Sequence, residues 1–313
     1  MLLPPGARLL VAVSGGQDSM ALLHLLGDLS RLHGWPLEVW HGDHGWSRRS
    51  TATALALSAW LDQAGWSLWT DRAAPGTAVG EAAARRWRYA TLLARARQLD
   101  CSHVVTGHTA SDRAETLLLN LIRGTHRRGL ASLRPSRPLE ERQLVRPLLL
   151  FNRRETASIA RAEGLPVWAD PSNNDLAYAR NRLRREVLPI LDSLHPGVEQ
   201  RLAALAERLA QEEEEAAALT ELALAALRRN DGSLRRQALS ELGVACQRRL
   251  LQAWLEPSTG VKLKASILET LLCQLASPEA SGTMDLAGGW RLHWQGDALT
   301  LASPPPSPAV DAP

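Results

Sequence analysis

Apolar runs and amphipathic stretches alternate through the first half of the chain. Short apolar runs predict buried strands, and apolar positions three and four apart predict helices. The predicted strands are Arg8–Val13, Leu37–His41, Ser67–Asp71, His103–Thr106 and, as strand or extended chain, Leu144–Leu150. The predicted helices are Asp18–Leu32, Thr51–Ala64, Glu81–Leu99 and Ser111–Arg123. This alternation is typical of βαβ crossovers, so we predict an α/β, Rossmann-like, mainly parallel sheet.

The pattern after Asn152 is mainly helical. Helices are predicted over Arg153–Glu163 and from Tyr178 to about Leu191, and a break follows at His195-Pro196-Gly197. A long helix comes next, and its predicted buried face consists of Val198, Leu202, Leu205, Leu209, Ala216, Leu219 and Leu222. The glutamate run 212–215 is interpreted as solvated surface of that helix.

The last third of the chain predicts a smaller α+β domain. Two helices are expected between Ser240 and Ala276, and short strands with glycine turns between Thr283 and Leu301. We therefore predict a first domain over 1–197, a second domain that begins with a helical linker over 198–302, and a disordered proline-rich tail over 303–313.

Composition narrows the class of protein. The 313 residues are 45% hydrophobic and 22% charged, which excludes disorder and collagen-like repeats for most of the chain. No apolar run is long enough for a membrane span, and Pro4-Pro5-Gly6 occupies the place of a signal peptide's charged residues. The three cysteines, Cys101, Cys246 and Cys273, stand far apart. We expect a reduced, cytoplasmic protein without a disulfide.

The strongest motif is Ser14-Gly15-Gly16-Gln17-Asp18-Ser19, between the first predicted strand and helix. Two glycines let the backbone approach an anion, and the N–H groups at a helix start favour phosphate. Asp18 alone would repel phosphate, so it is expected to hold Mg²⁺ between carboxylate and phosphate. The Gly-Lys-Ser/Thr of a Walker A loop is absent. The structural alternative is a glycine turn capped by Ser and Asp.

The SGGQDS segment resembles the pyrophosphate loop of the N-type ATP pyrophosphatases. This resemblance implies cleavage of ATP between the α- and β-phosphates, an adenylated intermediate and release of pyrophosphate. The superfamily includes GMP synthetase, NAD synthetase, asparagine synthetase and several tRNA-modifying enzymes, and the loop alone does not choose among them.

Further segments narrow the resemblance, in the order expected for one family. They are His41-Gly42-Asp43-His44-Gly45, the EAxARxxRY helix from Glu81 to Tyr89, Gly107–Thr116 with Arg123-Gly124, Arg146–Leu149, Asp170–Asn173 and Arg180–Arg184. Over about residues 8–195 this set resembles the tRNA(Ile)-lysidine synthetase family. Thr109, Ser111 and Arg113 differ from the residues that the family often has at these positions of its GHHxDDxxET segment. The family has an arginine directly after HGL, whereas here Ser47 stands at that position and Arg48 follows it, so we assign Arg48 no role.

The resemblance implies ATP-dependent ligation of L-lysine to C2 of the wobble cytidine in the CAU anticodon of tRNA(Ile). It implies an adenylated cytidine intermediate, Mg²⁺ on Asp18, and AMP and pyrophosphate as products, so that the modified tRNA reads AUA as isoleucine. The first domain would be catalytic, and the second would recognise tRNA(Ile) against tRNA(Met). The sequence leaves open whether the chain acts as a monomer or a homodimer.

The same resemblance implies catalytic roles for Asp18, Asp112, Glu115 and Arg88. Asp112 and Glu115 stand three apart at the start of a predicted helix, where two carboxylates on one face could share Mg²⁺ or orient an amine. This spacing is also typical of helix capping, and the residues alone leave the two alternatives equal.

ATP is expected to lie beside Ser14–Ser19 and the ends of two further strands. Asp43, His44, Gly107 and His108 follow predicted strands, and open α/β sheets bind ligands at the carboxyl ends of their strands. The alternatives are a loop turn at Asp43-His44 and, for His108, a histidine that satisfies local backbone groups.

Arginine supplies nearly all the positive charge, because only Lys262 and Lys264 are lysines. Nine arginines against two glutamates occur between Arg123 and Arg154, which indicates a phosphate or nucleic-acid partner. A high-GC codon bias would explain the ratio but not this clustering. The candidate tRNA or phosphate contacts are Arg85, Arg123, Arg146, Arg180, Arg182 and Arg184. The alternative is an ordinary solvated surface.

Two other interpretations stay open. A tRNA 2-thiolation enzyme built on the same loop would need paired reactive cysteines, and the three cysteines show no such arrangement. A non-catalytic tRNA- or nucleotide-binding module would not need Asp18, Asp112 and Glu115 intact. Pyrophosphate release that depends on tRNA and lysine separates these interpretations.

Overall fold

A computed structural model of the protein describes residues 2–45, 48–77, 80–168, 175–277 and 281–304. The predicted Asp170–Asn173 turn and the tail after residue 304 lie outside these ranges. The chain divides into two compact units, Met1–Gln211 and Glu212–Pro313. Among the described residues no helix combines the length and apolarity needed to cross a membrane.

The first unit is built on a six-stranded sheet of order β3-β2-β1-β4-β6-β5. Its strands are β1 Leu9–Ala12, β2 Leu37–Asp43, β3 Leu68–Arg72, β4 His103–Thr106, β5 Ser136–Leu139 and β6 Arg142–Val145. Every neighbouring pair is parallel except β5 with β6. The predicted Rossmann-like, mainly parallel sheet is therefore confirmed.

Helices join and cover these strands. They are α1 Gln17–His33, α2 Arg48–Gln63, α3 Glu81–Gln98, α4 Ala110–Ile122, α5 Arg127–Leu130, α6 Arg153–Ala162 and α7 Ala179–Arg182, which continues through a π-helical segment Leu183–Val187 into α8 Leu188–Leu194. Alternating side chains of β1 pack into cores on opposite faces of the sheet, Leu9 and Val11 on one face and Leu10 on the other. This two-sided burial explains why β1 is apolar throughout.

The predicted strand over Leu144–Leu150 is partly wrong. The strand β6 ends at Val145, and Pro147–Leu150 forms a 3₁₀ turn. Proline at the start of that turn has no N–H to continue the ladder. The short antiparallel partner β5 was not predicted, because Ser136–Leu139 contains two polar residues and a proline, which suits only an edge strand.

The long helix is α9, Val198–Leu227, but its predicted apolar face is only partly buried. Leu205, Leu219 and Leu222 are exposed. The buried positions are Ala203, Ala206, Ala210, Leu224 and Leu227. The prediction followed the leucines, whereas the small alanines carry little hydrophobic signal in the sequence even where their helix face is buried.

The second unit contains the rest of α9, three further helices and an antiparallel sheet of order β7-β10-β9-β8. The elements are β7 Leu234–Arg235, α10 Arg236–Ser240, α11 Val244–Thr259, α12 Ala265–Ala276, β8 Ser281–Asp285, β9 Arg291–Gln295 and β10 Ala298–Ala302. One core of buried leucines and tryptophans, including Leu251, Trp254 and Leu292, joins helices and sheet. The predicted small α+β unit is confirmed, except that the short strand β7 comes before its helices and was not predicted.

Candidate active site at the carboxyl edge of the sheet

The Ser14–Ser19 loop joins the end of β1 to the start of α1. Ser19 Oγ donates to the Gly16 carbonyl at 2.8 Å and accepts from the Ser14 N–H at 3.1 Å, so the loop is closed on itself. Gly15 has φ +83°, and a Cβ there would lie 3.2 Å from the Trp168 ring. The loop thus requires glycine for both conformation and space, and it ends at a helix N-terminus suited to phosphate.

Gly107 brings the end of β4 against this loop. A Cβ on Gly107 would lie 3.1 Å from the Asp18 carbonyl oxygen and 3.2 Å from the Ser19 Cα. Because β4 pairs directly with β1, the segment Gly107–Glu115 and the phosphate loop share one edge of the sheet. Gly107 therefore sets the distance between the two motifs.

Asp112 serves as a helix cap and also as a charged site residue. Thr109 is the N-cap of α4, and its N–H and Oγ1 donate to Asp112 Oδ2 at 2.9 and 3.0 Å. The capping box uses Thr109 and Asp112, and Glu115 takes no part in it. Burial alone would raise the pKa of Asp112, but the Arg153 guanidinium and the Thr109 N–H hold that pKa well below its usual range.

Glu115 has no exposed side-chain surface and is held by two arginines of the segment 179–187. Arg184 Nε and Nη2 donate to its two carboxylate oxygens at 2.6 and 2.9 Å, a bidentate pair. Arg180 Nε lies 3.4 Å from Glu115 Oε2, and its Nη2 donates to Thr116 Oγ1 at 2.7 Å. Burial raises the pKa of Glu115 despite these cations.

Asp18 lies close to Asp112, with an arginine between them. Arg153 Nη2 is 3.6 Å from Asp18 Oδ2 and 3.2 Å from Asp112 Oδ1. The Thr156 hydroxyl donates to Asp18 Oδ1 at 2.5 Å. Burial raises the pKa of Asp18, an effect that Arg153 and Thr156 oppose.

A cluster of arginines surrounds Tyr89 on α3. The guanidinium carbons of Arg85, Arg88 and Arg137 lie 5.2, 5.9 and 5.2 Å from the centre of its ring. Burial alone would raise the pKa of Tyr89, but Arg85, Arg146 and Arg88 outweigh it and lower that pKa. Several cations so close together form a site for an anion.

His108 lies between Asp112 and the arginines that surround Tyr89. Its Nδ1 is 2.9 Å from the Thr106 hydroxyl. Burial lowers the pKa of His108 to about 3. The positive charges of Arg146, Arg88 and Arg85 act in the same direction, whereas the carboxylate of Asp112 acts against it. The imidazole is therefore neutral at physiological pH.

Asp43 and His44 end β2, on the opposite side of β1 from β4. Asp43 accepts hydrogen bonds from the Gly45 N–H at 2.8 Å and from Thr51 Oγ1 at 3.1 Å, which forms the predicted loop turn. The His44 ring meets the Trp87 ring edge-on, with 5.1 Å between ring centres. Both residues lie at the carboxyl edge, as expected for residues that border a nucleotide.

The remaining predicted arginines differ widely in exposure. Arg123 is exposed at the end of α4, and Arg182 is exposed and paired with Glu186 at 3.1 Å. Arg146 is only 2% exposed and donates to the Arg134 carbonyl at 2.7 Å. Burial lowers the pKa of Arg146.

Several residues of this edge were missed or left without a role by sequence reasoning. Gln17 was assigned only to ATP, yet its Nε2 donates to the Arg153 carbonyl at 2.8 Å. Ser111 Oγ donates to Glu199 and accepts from the Arg153 N–H, and buried Arg113 pairs with Glu207. Departures from a motif carry no signal about such partners, which come from α6 and α9.

Comparison with known protein families agrees with this site. Residues 4–191 match the model of a PP-loop domain, and residues 234–300 match that of the TilS substrate binding domain. The fold and the loop thus define a PP-loop protein. Because curated relatives match nearly its whole length, the chain belongs to the tRNA(Ile)-lysidine synthase family.

Two relatives illustrate the extent of the match. The tRNA(Ile)-lysidine synthase of Parasynechococcus marenigrum is 52% identical over 97% of this chain and 91% of its own length. That of Thermosynechococcus vestitus is 44% identical over 98% and 89%. A solved U34-tRNA thiolase from Methanococcus maripaludis, with its 4Fe-4S cluster, has a TM-score of 0.57 and 17% identity over 67% of this chain and 74% of its own. That likeness concerns the fold alone.

Proposed function

We propose that this chain ligates L-lysine to C2 of the wobble cytidine of tRNA(Ile) with a CAU anticodon, at the expense of ATP. The observation that supports this most is the meeting of the phosphate loop and the Gly107–Glu115 segment at one sheet edge, in a chain whose relatives are named tRNA(Ile)-lysidine synthase. The products would be lysidine in the tRNA, AMP and pyrophosphate.

The first step would activate the cytidine. Its C2 oxygen attacks the α-phosphorus of ATP, the bond to the bridging oxygen of the β-phosphate breaks, and pyrophosphate leaves. Ser14, Gly15 and Gly16 would present the loop backbone to the phosphates, and the N-terminus of α1 favours their charge. Asp43 and His44 would border the nucleotide from the end of β2.

The residues present fit a Mg²⁺ that is held mainly by substrate. No group of three or more His, Cys, Asp or Glu side chains among the described residues could hold a metal by itself. Mg²⁺ is commonly bound by one or two carboxylates plus nucleotide phosphates, and Asp18 at the start of α1 supplies such a carboxylate. When bound there, Mg²⁺ would neutralise charge on the phosphates as pyrophosphate departs.

The second step would join lysine to the activated base. The lysine ε-nitrogen attacks C2 and loses a proton, and the bond from C2 to the phosphate oxygen breaks to release AMP. The Asp112 side chain is 12% exposed and would receive the amine, whereas the Glu115 side chain is fully enclosed. Glu115 would therefore act by holding Arg180 and Arg184 toward the site.

The tRNA would contact two groups of arginines. Arg85 and Arg88 beside Tyr89 would bind a backbone phosphate close to the flipped cytidine, and Arg146 would add positive charge to the same site. Arg123, with the exposed Arg182, would contact phosphates farther out. The second unit, which includes the substrate binding domain match, would recognise the body of the tRNA.

Pyrophosphate release with one component omitted at a time tests this proposal. We expect release of AMP and pyrophosphate in equal amounts only when ATP, tRNA(Ile) and L-lysine are all present over many turnovers. Turnover that ignores lysine would contradict the proposal, as would turnover that requires a sulfur donor, which would favour a thiolation enzyme. Absence of any ATP turnover would favour a binding module.

A further inference from the structure

The first turn of α6 holds the two acidic motifs together, although no motif of the sequence includes it. Arg153 Nη2 lies 3.2 Å from Asp112 Oδ1 on α4 and 3.6 Å from Asp18 Oδ2 on α1. A single nitrogen thus bridges carboxylates from two helices and two sequence motifs.

The backbone of Arg153 is tied to the same two motifs. Its carbonyl accepts from Gln17 Nε2 at 2.8 Å, beside Asp18 in the phosphate loop. Its N–H donates to Ser111 Oγ at 3.1 Å, beside Asp112 in α4. Both ends of the residue are therefore fixed by neighbours of the two aspartates.

A capping box stabilises the start of α6. Asn152 caps the helix, with its Oδ1 accepting from the N–H groups of Arg154 and Glu155 at 2.9 and 3.0 Å, and Glu155 Oε2 accepts from the Asn152 N–H at 2.7 Å. Thr156, which is fully buried, donates to Asp18 from the same turn. The turn thus contacts the phosphate loop through a neutral and a charged side chain.

The positive charge of Arg153 stabilises the arrangement of the two aspartates. The carboxylates of Asp18 and Asp112 repel one another in this poorly solvated site, and this repulsion favours protonation of one of them or a rotamer that moves them apart. A guanidinium between them offsets the repulsion and fixes the direction of both. The Arg153 side chain is one-third exposed and would border bound nucleotide, yet it holds no group that could be transferred in the reaction.

We propose that Arg153 is a positioning residue that holds the carboxylates of Asp18 and Asp112 in their reactive arrangement. It couples the part of the site that binds ATP to the part that receives the amine. The inference rests on the proposed function for the meaning of that arrangement, but its structural content concerns ATP binding and can be tested without tRNA or lysine.

The test compares Arg153→Ala and Arg153→Lys with Arg161→Ala. Arg161 is exposed on the same helix, and its side chain donates to the Ala157 carbonyl and the Ser158 hydroxyl at 3.3 and 3.4 Å. Binding of a non-hydrolysable ATP analogue with Mg²⁺ is measured by calorimetry, beside thermal unfolding and lysine transfer to tRNA. Loss of a supporting partner of this kind weakens binding or activity roughly 10- to 100-fold, and we expect that range for Arg153→Ala.

The outcomes are distinct. Recovery of part of the affinity in Arg153→Lys, or on adding guanidinium to Arg153→Ala, supports a positioning charge, whereas a merely structural loss would show neither. If Arg153→Ala does not fold, the lysine variant decides by the same binding measurement. Unchanged binding in the folded variants, or an equal loss in Arg161→Ala, overturns the inference. If wild type binds the analogue but never transfers lysine while Arg153→Ala still loses binding, the proposed function fails and the inference stands.

Discussion

Glu115 is a buried carboxylate that holds two arginines of the candidate site. Its side chain is fully enclosed and accepts two hydrogen bonds from Arg184, with Arg180 at 3.4 Å. Taking a carboxylate out of water is costly, and the two guanidinium groups offset part of that cost. Removing the charge leaves both arginines facing a neutral group in a poorly solvated place.

We therefore expect Glu115→Gln to lower the free energy of unfolding by about 3 kcal/mol, the usual range when one partner of a buried ion pair is removed. Glu186→Gln is the matched control, since Glu186 pairs with Arg182 where both side chains are largely exposed. That variant should change stability by less than about 1 kcal/mol. Urea unfolding measures both, and equal losses would contradict the account.

The neutral imidazole of His108 predicts a pH dependence of stability. Burial lowers the pKa of His108 to about 3 from its ordinary 6.5, so between these values only the unfolded chain binds the proton. Stability is then lost as the pH falls below about 6.5, by up to about 1.4 kcal/mol per pH unit for this group. Unfolding in urea from pH 7 to pH 5 should show a shallower loss in His108→Gln than in wild type.

His126 provides the control for that experiment. It is exposed at the N-cap of α5, so His126→Gln should leave the slope of stability against pH as in wild type. Identical slopes for wild type and His108→Gln would contradict a neutral His108 in the folded protein.

Between elements, the approach of β4 to α1 depends on Gly107. A Cβ there would lie 3.1 Å from the Asp18 carbonyl oxygen, which is backbone and cannot turn aside. We expect Gly107→Ala to displace the phosphate loop and weaken ATP binding roughly 10-fold, the smaller end of what loss of support at a site costs. Gly243→Ala is the control, because no heavy atom lies within 4 Å of its Cβ position. Equal ATP affinity in both variants would contradict this role.

At this scale the sequence predicts most of the fold. Apolar runs predict β1 to β4, since strands buried on both faces carry a strong signal. The edge strand β5 and the alanine-lined face of α9 were missed, because polar edge residues and small side chains contribute little to a hydrophobic pattern. Tertiary packing decides such segments more than local preference does.

The site is predicted less completely than the fold. Motif spacing selects Asp18, Asp112 and Glu115 as candidates, and the folded chain brings Asp18 and Asp112 to the same arginine, while their chemical roles stay a prediction. The spacing does not show that Thr109 joins Asp112 in the capping box, nor that Arg153 bridges the two aspartates. The Arg153 contacts join segments 41 and 135 residues apart, which leave no periodic trace in one sequence, so only the folded chain shows them.

For the whole molecule, clustered arginine predicts salt-sensitive tRNA binding. Arg123 and Arg128 are exposed near the end of α4 and on α5, with no ion pair to a described residue. If each contacts a phosphate, Arg123→Ala and Arg128→Ala should each reduce the slope of log affinity against log salt by about 1. Arg31→Ala, exposed on α1 outside the arginine-rich segment, should leave the slope unchanged. Filter binding over a salt series measures this, and unchanged slopes in all three would exclude these contacts.

The most direct test of the account is transfer of labelled L-lysine to unmodified tRNA(Ile) with a CAU anticodon, beside tRNA(Met) and the variant Asp18→Asn. The account predicts ATP-dependent label in the first tRNA, none in the second, and none with the variant even though it folds. The label should reside in the wobble nucleoside after digestion. ATP cleavage by the wild-type protein with both tRNAs unlabelled would contradict it.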